Sequence, residues 1–472
     1  MKQAIVILHG MGEQVPMATL NAFVRAVWTT DLDLNDADRP ATGTEGRRVA
    51  NASWARPDPR NSSTELRRIT TESDKSGNKT DFYEYYWAHM IEGTTWEHVA
   101  TWIRDLLFRN PCRRVPRRVL HAWIVLWLIT LVVAGATLWG LLPGPEEPRP
   151  GLVVLSALGG MAVSAFVSSV LIKRFGDVAR YVKALPPNVA RRHEIRQTGV
   201  DLLDRLIDSG EYARIVVVAH SLGTIVGYDI LAMLFARRNT VSNKGAARDM
   251  PQPHRDALEE AIRAALAGTL PLDVATFQDM QAAALAEARD QGLKWPITDF
   301  VTLGAPLTHA EFLMAESRKD LRERQRQRLL PTCPPTMEYD DTTRLRHFTY
   351  SRLAGRQPLD RRRPHHAALF AYTRWTNLYS DERCLLTGDL ISGPVAEAFG
   401  LEGAESVVRG ARDIGVLPAL TATGRKAEGH RRVFFSHNDY WDMDKGSDTG
   451  APEVPHHIAE LRKAVAILQE KG

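Results

Sequence analysis

The sequence predicts an α/β fold built on a mainly parallel sheet with helices on both faces. Three observations carry that expectation. Short β-rich runs alternate with helical stretches, the runs read as buried strands, and the apolar and charged fractions, 44% and 25%, are those of an ordinary globular chain. Those fractions also argue against global disorder and against a multi-span transporter.

Residues 5–8, 82–87, 215–219, 300–303, 375–379 and 433–435 read as the buried strands, each followed by a loop or a helix. Residues 243–295, rich in Ala, Leu and Glu, and the charged run at about 311–330 lie between strands and read as helical, lid-like insertions. The length of 472 residues allows a sizeable core as well as these insertions. A net charge of +4 over that length is too weak to suggest nucleic-acid binding. Cys112, Cys333 and Cys384 are far apart and odd in number, which indicates neither a disulfide framework nor a zinc site and fits a reducing compartment.

Two segments depart from the soluble pattern. Residues 119–142 and 151–172 contain no Asp, Glu, Lys or Arg. At about 1.5 Å per residue each is long enough to cross a hydrocarbon core of about 30 Å. The proline-rich linker 143–150 suits a turn outside the bilayer, so the expectation is a transmembrane helical hairpin dividing the soluble domain into residues 1–118 and 173–472. Arg109, Arg113, Arg114, Arg117 and Arg118 precede the first span, Lys173, Arg174, Arg180 and Lys183 follow the second, and the turn holds only Arg149. That asymmetry orients both soluble parts toward the cytoplasm.

The strongest chemical signal is Val216-Val217-Val218-Ala219-His220-Ser221-Leu222-Gly223-Thr224. A buried run leads into a serine with a small residue two positions to either side, and then into a helix-compatible stretch. Such a turn holds the serine at its tip, and only small flanks leave room for the helix to approach the strand. A serine there is ordinarily an N-cap, and Ala219 stands where the G-x-S-x-G pattern has glycine.

Other segments accompany it in order: His9-Gly10-Met11-Gly12, Glu84-Tyr85-Tyr86-Trp87-Ala88, Leu303-Gly304-Ala305-Pro306, Trp375-Thr376-Asn377-Leu378-Tyr379, Gly388-Asp389 and Ser436-His437-Asn438-Asp439-Tyr440-Trp441. Together they resemble the α/β-hydrolase superfamily, in particular lipase- and esterase-like serine hydrolases and a group of bacterial membrane-associated hydrolases. The resemblance covers nearly all of the chain except the lid-like insertions. It implies the α/β-hydrolase fold, with Ser221 as nucleophile and the chain order serine, acid, histidine. It also implies an oxyanion hole made by the backbone N–H groups of Met11 and Leu222.

Fifteen histidines compete for the role of base. His437 alone follows the last short run, 433–435, on a loop at the edge where the serine emerges, whereas His365 and His366 precede the acid candidates and His220 adjoins the serine. Asp389, Asp381 and Glu382 all follow the run ending near Tyr379. The resemblance of Gly388-Asp389 to the family's turn favours Asp389.

The arginines of 318–328 and 352–363 invite a phospholipid-headgroup reading, although such runs are usually solvated faces. No phosphate loop or metal-ligand cluster occurs, so no cofactor and no metal is expected. The resulting expectation is a membrane-tethered serine hydrolase for carboxylic esters or thioesters, with an acyl ester or lipid as substrate and the membrane as partner. Oligomeric state is not legible. A non-catalytic scaffold and a peptidase or amidase on the same fold are the alternatives.

Overall fold

The computed structural model describes residues 1–10, 15–34, 50–61, 63–74, 76–91, 181–182, 186–239, 251–354, 357–381, 389, 391–416, 436–442 and 454–467, with six helical residues between 124 and 135. Its centre is an eight-stranded sheet in the order β14-β11-β6-β5-β1-β4-β3-β2. The parallel strands are β1 (Lys2–Leu8), β4 (Lys79–Tyr85), β5 (Arg214–His220), β6 (Ile297–Leu303), β11 (Arg374–Ser380) and β14 (Arg412–Val416). On one edge β2 (Ser53–Arg56) and β3 (Arg68–Thr71) pair antiparallel. Three small hairpins lie apart from it: β7 (Glu338–Asp340) with β8 (Leu345–His347), β9 (Thr349–Ala354) with β10 (Gln357–Pro364), and β12 (Leu401–Glu402) with β13 (Val407–Val408).

The expected runs at residues 5–8, 215–219, 300–303 and 375–379 fall within β1, β5, β6 and β11, and residues 82–87 overlap the end of β4. The expected run 433–435 lies outside the described residues. The sheet is covered on both faces, which is why β5 is buried along its whole length. Alternate side chains serve opposite faces. Val6, Leu8, Val217, Ala219 and Phe300 face α2 (Pro186–Asp208) and α3 (Leu222–Arg238), whereas Ile5, Ile7, Val216, Val218 and Leu303 face α1 (Ala18–Val24) and the C-terminal helix α7 (His456–Val465).

Residues 251–295 form α4 (Pro253–Ala267) and α5 (Val274–Asp290), which bury Leu258, Ile262 and Phe277 in the first of these cores. Gln278 of α5 donates to the carbonyl of Trp375 in β11 at 3.1 Å, tying this pair to the sheet. The charged run forms α6 (Arg318–Arg326). Its arginines pair inside the protein, Arg322 with Glu402, Arg324 with Asp320 and Arg326 with Glu323, and the neighbouring Arg328 pairs with Glu338.

Among the described residues no helix is long and apolar enough to cross a membrane. The segments 119–142 and 151–172 lie outside the described residues except for Ile124, Trp127, Leu128, Leu131, Val132 and Gly135, which are helical.

In the parallel register Leu8 lies beside Ala219, Ala219 beside Thr302, His220 beside Leu303, Leu303 beside Leu378, and Leu378 beside Ile414. The carboxyl ends of β1, β5, β6, β11 and β14 therefore open onto one edge.

Candidate active site

Ser221 stands between β5 and α3 with φ 53° and ψ −130°, a positive φ that a non-glycine residue rarely adopts. The packing around it explains the small neighbours. A Cβ on Gly223 would lie 2.4 Å from the His9 carbonyl oxygen and 2.8 Å from that of Leu8, so α3 can start this close to β1 only with glycine there. Likewise a Cβ on Gly10 would lie 2.9 Å from the Cβ of Ser221. The chain leaving β1 thus rests directly on the serine.

His437 lies in a short helical turn, Ser436–Asn438. Its Nε2 is 2.7 Å from the Ser221 hydroxyl and its Nδ1 is 2.8 Å from a carboxylate oxygen of Asp389. Because the nitrogen facing a carboxylate carries the proton, Nε2 is left as the acceptor of the serine O–H.

Asp389 is buried and well supplied with donors. The N–H groups of Ile391 and Ser392 donate to one of its oxygens, at 3.0 and 3.3 Å, and the Tyr440 hydroxyl donates to the other at 2.9 Å. Burial alone would raise its pKa, but His437 and the hydrogen bonds from Ser392 and Tyr440 outweigh burial and hold the carboxyl well below the usual range. Tyr440 is fixed in turn by the Ser380 N–H, which donates to its hydroxyl at 3.0 Å from the end of β11.

Three supporting contacts were not foreseen. His220 is buried, and its Nε2 bonds the backbone carbonyl of His437 at 2.7 Å. Burial pushes its pKa down to about 3, so it holds the His437 loop as a neutral donor. Gly304 has φ 59° at the end of β6, and a Cβ there would lie 2.7 Å from the Tyr440 ring and 3.2 Å from that of His437. Trp441 packs edge-on against His220 with ring centres 4.7 Å apart.

The structure brings Ser221, His437 and Asp389 into one hydrogen-bonded row. Leu222 is the first residue of α3, so its N–H has no partner within the helix and borders the serine at the positive end of the helix dipole. Met11 and Glu382 lie outside the described residues. Asp381 is exposed, and its N–H bonds the Val416 carbonyl at 3.3 Å. His365 bonds the Thr336 carbonyl, away from this row.

Chemically, the row can move a proton from a hydroxyl to an imidazole that is backed by a fixed anion. No family model, no curated protein and no solved structure matches the chain.

Proposed function

We propose that the chain is a serine hydrolase of the α/β-hydrolase fold that cleaves carboxylic esters or thioesters, with lipid or acyl esters as its substrate class. The observation that carries this reading is the row Ser221–His437–Asp389 with its serine on a strained strand-to-helix turn. The sheet order supports it as well. Among the described strands the serine directly follows central strand β5 and the acid comes next after β11, while the histidine comes later in the chain than β14, the order serine, acid, histidine.

In the reaction, the Ser221 oxygen attacks the acyl carbon while His437 Nε2 takes the hydroxyl proton, and the carbonyl electron pair moves onto oxygen. The Leu222 N–H, and that of Met11, receive the developing oxyanion; one such donor is worth about 3 kcal/mol of barrier. Collapse of the adduct expels the alcohol or thiol, which takes the proton from His437. A water then repeats the sequence on the acyl enzyme and frees the acid. Asp389 keeps the imidazole in the tautomer that accepts at Nε2 and stabilises the imidazolium.

The proposal includes a membrane tether formed by residues 119–172. Its support is the charge asymmetry around two uncharged segments and, within the first, the exposed helical side chains of Ile124, Leu128, Leu131 and Val132.

A fluorophosphonate probe should label the protein at one site, and Ser221→Ala should abolish both labelling and ester hydrolysis while leaving the fold intact. Undiminished hydrolysis in that variant would overturn the reading. Replacing residues 119–172 with a short flexible linker should release the protein from membranes in a sedimentation assay. Carbonate-resistant association of the deletion would remove the tether from the proposal.

A further inference from the structure

The segment at the end of β4, Glu84-Tyr85-Tyr86-Trp87, takes no part in the proton path described above, yet it holds the chain on both sides of the β1–α1 loop. At the upstream foot, the Trp87 N–H donates to His9 Nε2 at 3.0 Å and the Trp87 indole N–H donates to the His9 carbonyl at 3.2 Å. The His9 ring lies parallel on the indole, 5.1 Å between centres, and its Nδ1 bonds the Gly10 carbonyl at 2.7 Å. Gly10 in turn touches Ser221.

At the downstream foot, Met17 enters α1 with φ 70°. Its N–H donates to Glu84 Oε2 at 2.7 Å. Glu84 is completely buried, and its other oxygen, Oε1, has no hydrogen-bond partner among the described residues. A buried carboxyl that serves one backbone N–H is a costly way to fill space, because leucine would fill the same volume without desolvating two oxygens. Its distinctive contribution is to fix where the loop returns.

We propose that Glu84 is a positioning residue that, together with Trp87, clamps His9–Gly10 and Met17, the two feet of the β1–α1 loop, and that the oxyanion donor which the serine-hydrolase reading takes from this loop depends on that clamp. This rests on the serine-hydrolase reading and deepens it. Met11, the residue expected to supply that donor, lies between the two feet in the chain. The clamp acts on the donor's position without touching substrate.

Two readouts test it. The first is amide hydrogen exchange of the peptide spanning residues 9–20. The second is the ratio of kcat/KM for an acyl ester to that for the matching thionoester, whose sulfur is a poor hydrogen-bond acceptor and gains little from an oxyanion hole. Glu84→Ala should speed exchange in that peptide, lower ester kcat by about 10- to 100-fold with KM within about twofold, and lower the ratio by about tenfold. Glu84→Gln keeps a carbonyl oxygen for the Met17 N–H and should restore exchange and kcat to within about threefold of the parent.

Equal losses on ester and thionoester, or unchanged exchange in Glu84→Ala, would overturn the proposal. If Glu84→Ala does not fold, Trp87→Phe takes its place, since it keeps the ring but removes the indole donor to His9; a parental ratio in that variant overturns the clamp. A parent that shows no Ser221-dependent hydrolysis would overturn the reaction reading and the catalytic half of this proposal. The exchange readout would then decide the clamp alone.

Discussion

Strands β5, β6 and β11 carry a buried polar cluster at each end, and the two clusters differ in what can leave them. At the amino ends, Asp299 of β6 lies between Arg214 of β5 and Arg374 of β11, at 2.7 and 3.0 Å. Arg214 also donates to the carbonyls of Val465 and Ala466 at the end of α7. Burial would raise the Asp299 pKa, but the two guanidiniums outweigh it and bring it down to about 2. Both charged partners of Asp299 are guanidiniums that keep their protons, and the Thr298 hydroxyl adds a neutral donor at 2.6 Å. At the carboxyl ends, Asp389 is backed by an imidazole that can gain and lose a proton, and the row finishes on a hydroxyl. Burial of charge is common to both. A removable proton with a nucleophile at its far side is what separates a site from a staple.

The sharpest way to break that contrast is at the carboxyl end. Asp389→Asn keeps the shape but favours the wrong tautomer of His437 and cannot stabilise its cation, so kcat should drop by about 10⁴-fold. Asp381→Asn, altering an exposed residue on the same connection, should leave kcat within about threefold. Steady-state kinetics on a short acyl ester read both. If Asp381→Asn proved the crippled variant, the acid would be reassigned with Ser221 and His437 unaffected.

The opposite end should answer in a different observable. Asp299→Asn leaves two buried guanidiniums without their shared carboxylate, a loss of about 3–5 kcal/mol of stability. With no path from Asp299 to the hydroxyl, kcat of the folded variant should stay within about twofold. Urea midpoints at constant slope, measured beside kcat, decide the matter. A parallel loss of kcat in protein still folded would mean that the two ends are coupled through the shared strands.

What the sequence disclosed follows from how local each signal is. Strands β1 and β5 were legible because a sheet covered on both faces demands continuous apolar runs, and β6 and β11 through their aromatic and β-branched residues, Phe300, Val301 and Thr302 in one and Trp375, Thr376 and Tyr379 in the other. Strand β14 was not, since Arg412-Asp413-Ile414-Gly415-Val416 carries two charges and a glycine and lies at the sheet's edge. Ser221 was legible because its small flanks are a requirement of the turn itself, met within five residues. Between Asp389 and Asp381 the residues alone did not choose; burial and the donors from Ile391, Ser392 and Tyr440 separate them only in three dimensions. The bond from His220 to the His437 carbonyl spans 217 positions, and the crowding of Gly304 against Tyr440 is likewise tertiary, so neither leaves a local pattern.

The smallest expected effect concerns protons that the fold refuses or retains. Burial lowers His9 to about 4, His220 to about 3 and His365 to about 4, each from an ordinary 6.5. Below pH 6.5 the unfolded chain takes up protons on these rings that the folded chain does not, so their contribution to stability falls as pH drops from 6.5 toward 4. Glu84 has the opposite sign. Burial raises it from 4.5 to about 7, so its contribution is greatest below pH 4.5 and is lost as pH rises to 7. Asp299 and Asp389, both pulled down, act mainly below pH 4. Three histidines, half-protonated in the unfolded chain at pH 6.5 and nearly fully at pH 5.5, against one carboxyl leave a mean net of about 1.3 protons over that interval, on the order of 2 kcal/mol of stability lost on acidification. Urea midpoints at pH 6.5, 6.0 and 5.5 measure that slope, and a flat or inverted profile would mean that the buried rings are protonated in the folded chain. Glu84→Gln sharpens the test because it removes the opposing carboxyl: the loss across the same interval should steepen by about two-thirds. An unchanged slope in that variant would place the Glu84 carboxyl among ordinary ionised groups, and the cost argument for its burial would have to be made for an anion.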